Sequence, residues 1–133
     1  SCGEEPDCIG WRSGISTLIE CKATRSDFLS DKKKEFRENP SRGVGSFRYF
    51  LTPDNLITVD ELPEGWGLLV TNGKRVRKLK ASSNFVVVNH LHEKVMLLSL
   101  VRRLANSPHP GVSINKYIYS TQNRASVCVE IEE

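Results

Sequence analysis

At 133 residues, 38% hydrophobic and 26% charged, the chain has the composition of a folded globular protein that buries a core without disulfide or metal staples, most simply as one domain over 1–133. No apolar run approaches bilayer length and no charged start leads into an apolar stretch, so no membrane partner is expected and a cytoplasmic location is. A net charge of +3 says little if spread evenly, but here it is segregated. Lys32, Lys33, Lys34 and Arg37 form one basic run, and Lys74, Arg75, Arg77, Lys78 and Lys80 a second. Acidic residues gather at Glu4, Glu5 and Asp7, between Asp54 and Glu64, and at Glu130, Glu132 and Glu133. The segregation suits a polyanion approaching an acidic site between basic arms. Equally, each run is accounted for as a solvated face.

In chain order, residues 7–11 and 16–23 read as paired strands with Arg12, Ser13 and Gly14 in the turn. In the second strand Glu20 and Lys22 share one side and project together, with Leu18, Ile19 and Cys21 placed behind them. Thr24-x-x-Asp27 fits a capping box, so a helix starts there, with Phe28, Leu29 and Phe36 as its buried stripe. Pro40, Gly43 and Gly45 end it. Residues 46–51 follow as a strand, with Phe47, Tyr49 and Leu51 on one side and Arg48 and Phe50 on the other.

The second half predicts a hairpin, 66–71 joined by Asn72-Gly73 to 74–80. Its second strand is basic enough to be an edge; edge lysines discourage aggregation, and phosphate contact is the alternative use. Asn89 caps a broad buried helix running to about Asn106 along Leu91, Val95 and Leu98. His90 and His92 lie in its first turn without a third residue at metal spacing. Beyond Pro108 and Pro110, residues 112–119 and 126–131 alternate as strands. The cysteines, Cys2, Cys8, Cys21 and Cys128, lack zinc-site spacing and read as reduced structural thiols, with a Cys2 to Cys8 bridge as the alternative in an oxidising medium.

Two short motifs carry chemistry. Pro6-Asp7 followed by Glu20-x-Lys22 offers two carboxylates and an amine, and hard divalent ions take oxygen ligands. Strand, strand, helix, strand surrounds them. These residues resemble the PD-(D/E)xK nuclease superfamily. The run from Ile19 to Leu29 is similar to small bacterial and phage restriction-endonuclease-like proteins, and the similarity continues through Arg48 to Pro53 and Leu62 to Leu69. It covers roughly the first half of the chain.

The resemblance implies an α/β restriction-endonuclease-like core, a mixed sheet flanked by helices, with the hairpin and C-terminal helix as additions. It implies a metal-dependent DNA endonuclease of repair, phage or mobile-element processing. Asp7 and Glu20, with the Cys21 backbone carbonyl, would hold Mg²⁺ or Mn²⁺, and Lys22 would assist the attacking water. Lys33, Lys34, Arg37, Arg48, Lys74, Arg75 and Arg77 would guide DNA, and a homodimer or partner subunit would serve double-strand cutting. The family's opening helix, which often adds an acidic residue, would precede Asp7; only six residues do so here, and Glu4 or Glu5 is the local substitute. A catalytically idle protein that binds nucleic acid, and an RNA-directed nuclease, are the alternatives.

Overall fold

The computed structural model describes residues 3–106; the expected strands at 112–119 and 126–131, together with Cys2, Cys128 and the Cys2 to Cys8 alternative, lie outside them. The chain divides into two compact units, residues 1–93 and 94–133. Among the described residues, no helix is long and apolar enough to cross a membrane.

The first unit is built on a five-stranded sheet in the order β1-β2-β3-β4-β5. It opens with a hairpin, β1 (Cys8–Arg12) antiparallel to β2 (Ile15–Cys21). Ser13 (φ 50°) and Gly14 (φ 76°) make the two-residue turn, whose positive dihedrals match the twist of the flanking strands. β2 pairs in parallel with β3 (Phe47–Pro53), and β3 with β4 (Gly67–Thr71). Parallel neighbours require crossovers. Helices α1 (Arg25–Asp31) and α2 (Glu35–Glu38) with a 3₁₀ turn at Pro40–Arg42 supply the first, and a 3₁₀ turn at Val59–Glu61 lies in the second. The result is a mixed α/β fold.

β5 (Val76–Lys80) runs antiparallel to β4 and is the outer strand of the described sheet, as its lysines suggest. The connection is longer than the expected two-residue Asn-Gly turn. Thr71 pairs with Val76, leaving 72–75 as the loop, because the Asn72 side-chain oxygen accepts from both Lys74 and Arg75 amides at 3.0 Å.

One face of the sheet carries the core. Leu18, Phe50, Leu68 and Val70 are buried there under Phe28 of α1, with Trp66 stacked on Phe50 at 4.5 Å and Phe28 edge-on to Phe50 at 5.2 Å. Glu20, Lys22 and Arg48 are buried among them. Leu18 therefore shares the face of Glu20 and Lys22 rather than lying behind them, as its even spacing from both requires. The two sides expected for β3 hold.

Thr24 caps α1, its hydroxyl accepting from the Asp27 amide at 3.2 Å. The expected single helix to Pro40 is instead two pieces. Tight i→i+3 bonds, Lys33 to Ser30 and Lys34 to Asp31, close the first, and Lys34 takes extended backbone (ψ 136°) before α2. Of the expected stripe only Phe28 is fully buried, and Leu29 is exposed, because Asp31 takes the second inward position.

Asn89 caps helix α3 (His90–Asn106), accepting from the His92 amide at 3.0 Å. Its stripe is not buried as expected: Leu91, Val95, Leu98 and Leu100 are exposed, and the buried residue is Glu93. That carboxylate accepts from the Ser16 hydroxyl at 2.7 Å and the Gly45 amide at 2.8 Å. His90 and His92 are tied into the same unit, His90 Nδ1 3.4 Å from Glu93 and His92 Nε2 2.9 Å from the Glu4 carbonyl.

Candidate functional site

The alternation of β2 delivers Glu20 and Lys22 to the core face at the strand's end, where an apolar setting makes unpaired charge expensive. Both are buried, at 1% and 6% exposure, and the Lys22 ammonium donates to Glu20 Oε2 at 3.1 Å. The other Glu20 oxygen, Oε1, is buried and accepts no hydrogen bond, though Arg37 Nη2 faces it at 3.5 Å. Lys22 Nζ also lies 3.3 Å from Asp31 and 3.9 Å from Asp27. Burial by itself would lower the Lys22 pKa; the bond to Glu20 and the Asp31 charge outweigh it and raise it, so the amine stays protonated at neutral pH.

Asp31 is the residue the sequence did not offer. It follows Phe28 by three, so it shares that buried helical face, and a carboxylate on a core stripe was the available signal. Its side chain gathers the cations. Arg37 Nε donates at 2.5 Å and Nη2 at 3.2 Å in a bidentate clasp, and Lys34 lies at 2.9 Å. Burial would raise the Asp31 carboxyl, but hydrogen bonds from Arg37 and Lys34 win and hold it below the usual range. Glu4 closes the far side, accepting from Arg37 at 2.6 Å and from the Val44 amide at 2.9 Å. Of the two local carboxylates considered from sequence, Glu4 is thus the buried one and Glu5 is exposed.

Asp7 stands apart from this network. It is exposed one residue before β1, next to the last ladder pair Cys8–Ile19, and its Oδ2 accepts from the Cys21 amide at 2.8 Å. The three motif residues therefore meet at one end of the β1–β2 hairpin, with two inside and Asp7 at the rim. Among the described residues, no three His, Cys, Asp or Glu side chains are arranged to hold a metal. Cys8 and Cys21 are free and exposed, not core thiols, because the odd positions of β2 face away from the core.

The residues expected to guide DNA separate into two groups. Lys33, Lys74 and Arg75 are exposed, and Arg77 is exposed while pairing with Asp54 at 2.9 Å. Arg37 and Arg48 are not at the surface. The Arg37 side chain is 3% exposed, with its guanidinium 4.3 Å from the Trp66 ring centre, because three buried carboxylates draw it inward. Arg48 is fully buried; it donates to the Gly45 and Pro40 carbonyls at 2.9 and 2.8 Å and lies over Phe85. It braces the 40–46 connection. Lys34 combines both: it is exposed, at 42% of its side chain, yet lies 3.4 Å from Glu20.

These features define a mixed α/β protein with a buried ion cluster at the end of its first hairpin. The fold is similar to that of SPO1766, a protein of unknown function from Silicibacter pomeroyi, with a TM-score of 0.59 and 20% identity over 81% of this chain and 75% of that one. At that identity the likeness shows the fold alone. No family model and no curated protein sequence matches the chain.

Proposed function

We propose that this chain is a metal-dependent phosphodiesterase acting on DNA, of the PD-(D/E)xK, restriction-endonuclease-like class. The observation that carries the reading is the buried Glu20-x-Lys22 pair with one Glu20 oxygen left without a hydrogen bond. A buried carboxylate oxygen that accepts no hydrogen bond and meets only the Arg37 charge at 3.5 Å keeps a lone pair for a ligand. The order β1, β2, α1, β3 supports the class.

The donors suit Mg²⁺ or Mn²⁺ shared with substrate. Mg²⁺ keeps several waters and is commonly held by one or two carboxylates together with phosphate oxygens, so Glu20 and Asp7, with the Cys21 carbonyl, would be a sufficient protein share. When bound, the ion supplies an acidified water and neutralises charge developing on the phosphate. Lys22 is held as an ammonium by Glu20 and Asp31, so its part is to orient the water and stabilise negative charge rather than to take a proton. Lys33, Lys74, Arg75 and Arg77 contact the DNA backbone, and cutting both strands calls for a second copy or a partner subunit.

A second reading has its own observation. Glu4, Glu20 and Asp31 are already balanced by Lys22, Lys34 and Arg37, which suits an idle nuclease fold that binds nucleic acid. The test is Mg²⁺- and Mn²⁺-dependent cleavage of single-stranded, duplex and branched DNA by wild type beside Glu20→Ala and Lys22→Ala, with folding checked by circular dichroism. Cleavage lost in both folded variants supports the enzyme. Inert wild type that still binds DNA moves the conclusion to the binding protein.

A further inference from the structure

We infer that Lys34 is a resident counter-ion, the cation that a divalent ion displaces from Glu20. The inference rests on the metal-dependent reading above. Each of three cations touches both Glu20 and Asp31: Lys22 at 3.1 and 3.3 Å, Lys34 at 3.4 and 2.9 Å, Arg37 at 3.5 and 2.5 Å. With Glu4 included, three buried carboxylates face three cations. A divalent ion adds two positive charges; Asp7 at the rim offsets one, and the other is left uncompensated, which is strongly unfavourable in a buried setting. A cation has to leave.

Geometry selects which one. Lys22 extends from a central strand, is 6% exposed and lies within 4 Å of Glu20, Asp27 and Asp31. Arg37 is fixed by a bidentate clasp to Asp31, by Glu4 and by the Trp66 face. Lys34 sits between α1 and α2 on extended backbone, and its side chain is 42% exposed. Its flexible stem reaches water by rotamer change alone, and an ammonium is strongly hydrated there. Lys34 departure also frees a lone pair on Glu20 Oε2, beside Oε1, which accepts no hydrogen bond and has Arg37 Nη2 at 3.5 Å. The same lysine that keeps the cluster neutral therefore opposes metal entry.

The experiment is Mn²⁺ binding, read from the free-ion electron paramagnetic resonance signal, for folded wild type, Lys34→Met, Lys32→Met and Glu20→Gln, with dimethyl phosphate present to supply the phosphate oxygens that a substrate would share with the ion. Lys32 is a nearby exposed lysine and controls for loss of local charge. Lys34→Met is expected to bind Mn²⁺ about tenfold more tightly than wild type, the scale of one charge-assisted hydrogen bond. Lys32→Met should stay within about twofold of wild type, the weak effect of an exposed charge, and Glu20→Gln should lose the site. If Glu20→Gln abolishes binding but Lys34→Met matches Lys32→Met, the metal reading stands and the counter-ion inference is overturned. If wild type and both lysine variants bind no better than Glu20→Gln, the metal reading falls and takes the inference with it.

Discussion

The two basic runs look alike as sequence and end in opposite environments. Residues 74–80 stay outside, with Arg77 at 64% side-chain exposure and a single partner in Asp54. Residues 32–37 turn inward at Lys34 and Arg37, toward buried carboxylates from three parts of the chain: Glu4, Glu20 and Asp31. The difference lies in what the neighbouring elements present. β5 ends the described sheet and meets water, whereas α1 and α2 cross over a face already carrying Glu20. A basic run is thus a surface or a core component according to where its counter-charges are buried.

The sharpest way to break that comparison is to remove the inward arginine. Arg37→Met leaves Glu4 and Asp31 buried without their main partner, and breaking a buried pair from one side costs about 3–5 kcal/mol. Urea unfolding should show that loss, while Arg75→Met in the β4–β5 loop should stay within about 0.5 kcal/mol. Equal losses would mean that the inward run is no more structural than the outer one.

Acid should find the same cluster. The Asp31 carboxyl is held below its ordinary range, so its stabilising contribution is complete above the unfolded aspartate pKa, about 3.9, and is lost as pH falls through the lowered folded value. Urea midpoints between pH 6 and 2 should therefore fall steeply at the acid end in wild type and less steeply in Asp31→Asn. An unchanged acid limb in the variant would place the acid sensitivity elsewhere.

Much of the sheet was legible because strands β1, β2 and β3 carry period-two patterns bounded by turn residues, and the Thr24 and Asn89 caps were readable as local chemistry. The Glu20 and Lys22 pairing followed from alternation alone. Arg37 and Arg48 were misplaced because a charge's depth depends on partners far away in sequence: Glu4 is 33 residues from Arg37, and the Arg48 guanidinium lies against Phe85. Sequence sets Asp31 aside together with Asp27 as a poor catalytic candidate, because its burial shows only once the cations around it are placed. The break at Lys34 has the same origin, since propensity favours continuing the helix.

If the outer strand and the loop before it are the nucleic-acid surface, their charges should act on binding rather than on folding. Replacing Lys74, Arg75 and Arg77 together by Gln should weaken duplex DNA binding regardless of sequence and make the log–log salt slope shallower by about 2–3, near 0.9 per phosphate contact. Fluorescence anisotropy across a salt series reads it directly. A slope unchanged from wild type would return the run to its other role, protection of a sheet edge.

The smallest effect separates those roles most cleanly. Arg77 and Asp54 form an exposed pair at 2.9 Å across the β4–β5 end of the sheet, and exposed pairs contribute about 0.2–1 kcal/mol at most. A double-mutant cycle of Arg77→Ala and Asp54→Ala, followed by urea unfolding, should give a coupling at the low end of that range that fades in high salt. Asp54→Ala should then raise DNA affinity slightly, because it releases a guanidinium without removing it, whereas Arg77→Ala should lower it. Opposite signs from two ends of one ion pair are what a phosphate-contacting arginine requires; matched losses in both variants would mean that the pair serves the strand and not the DNA.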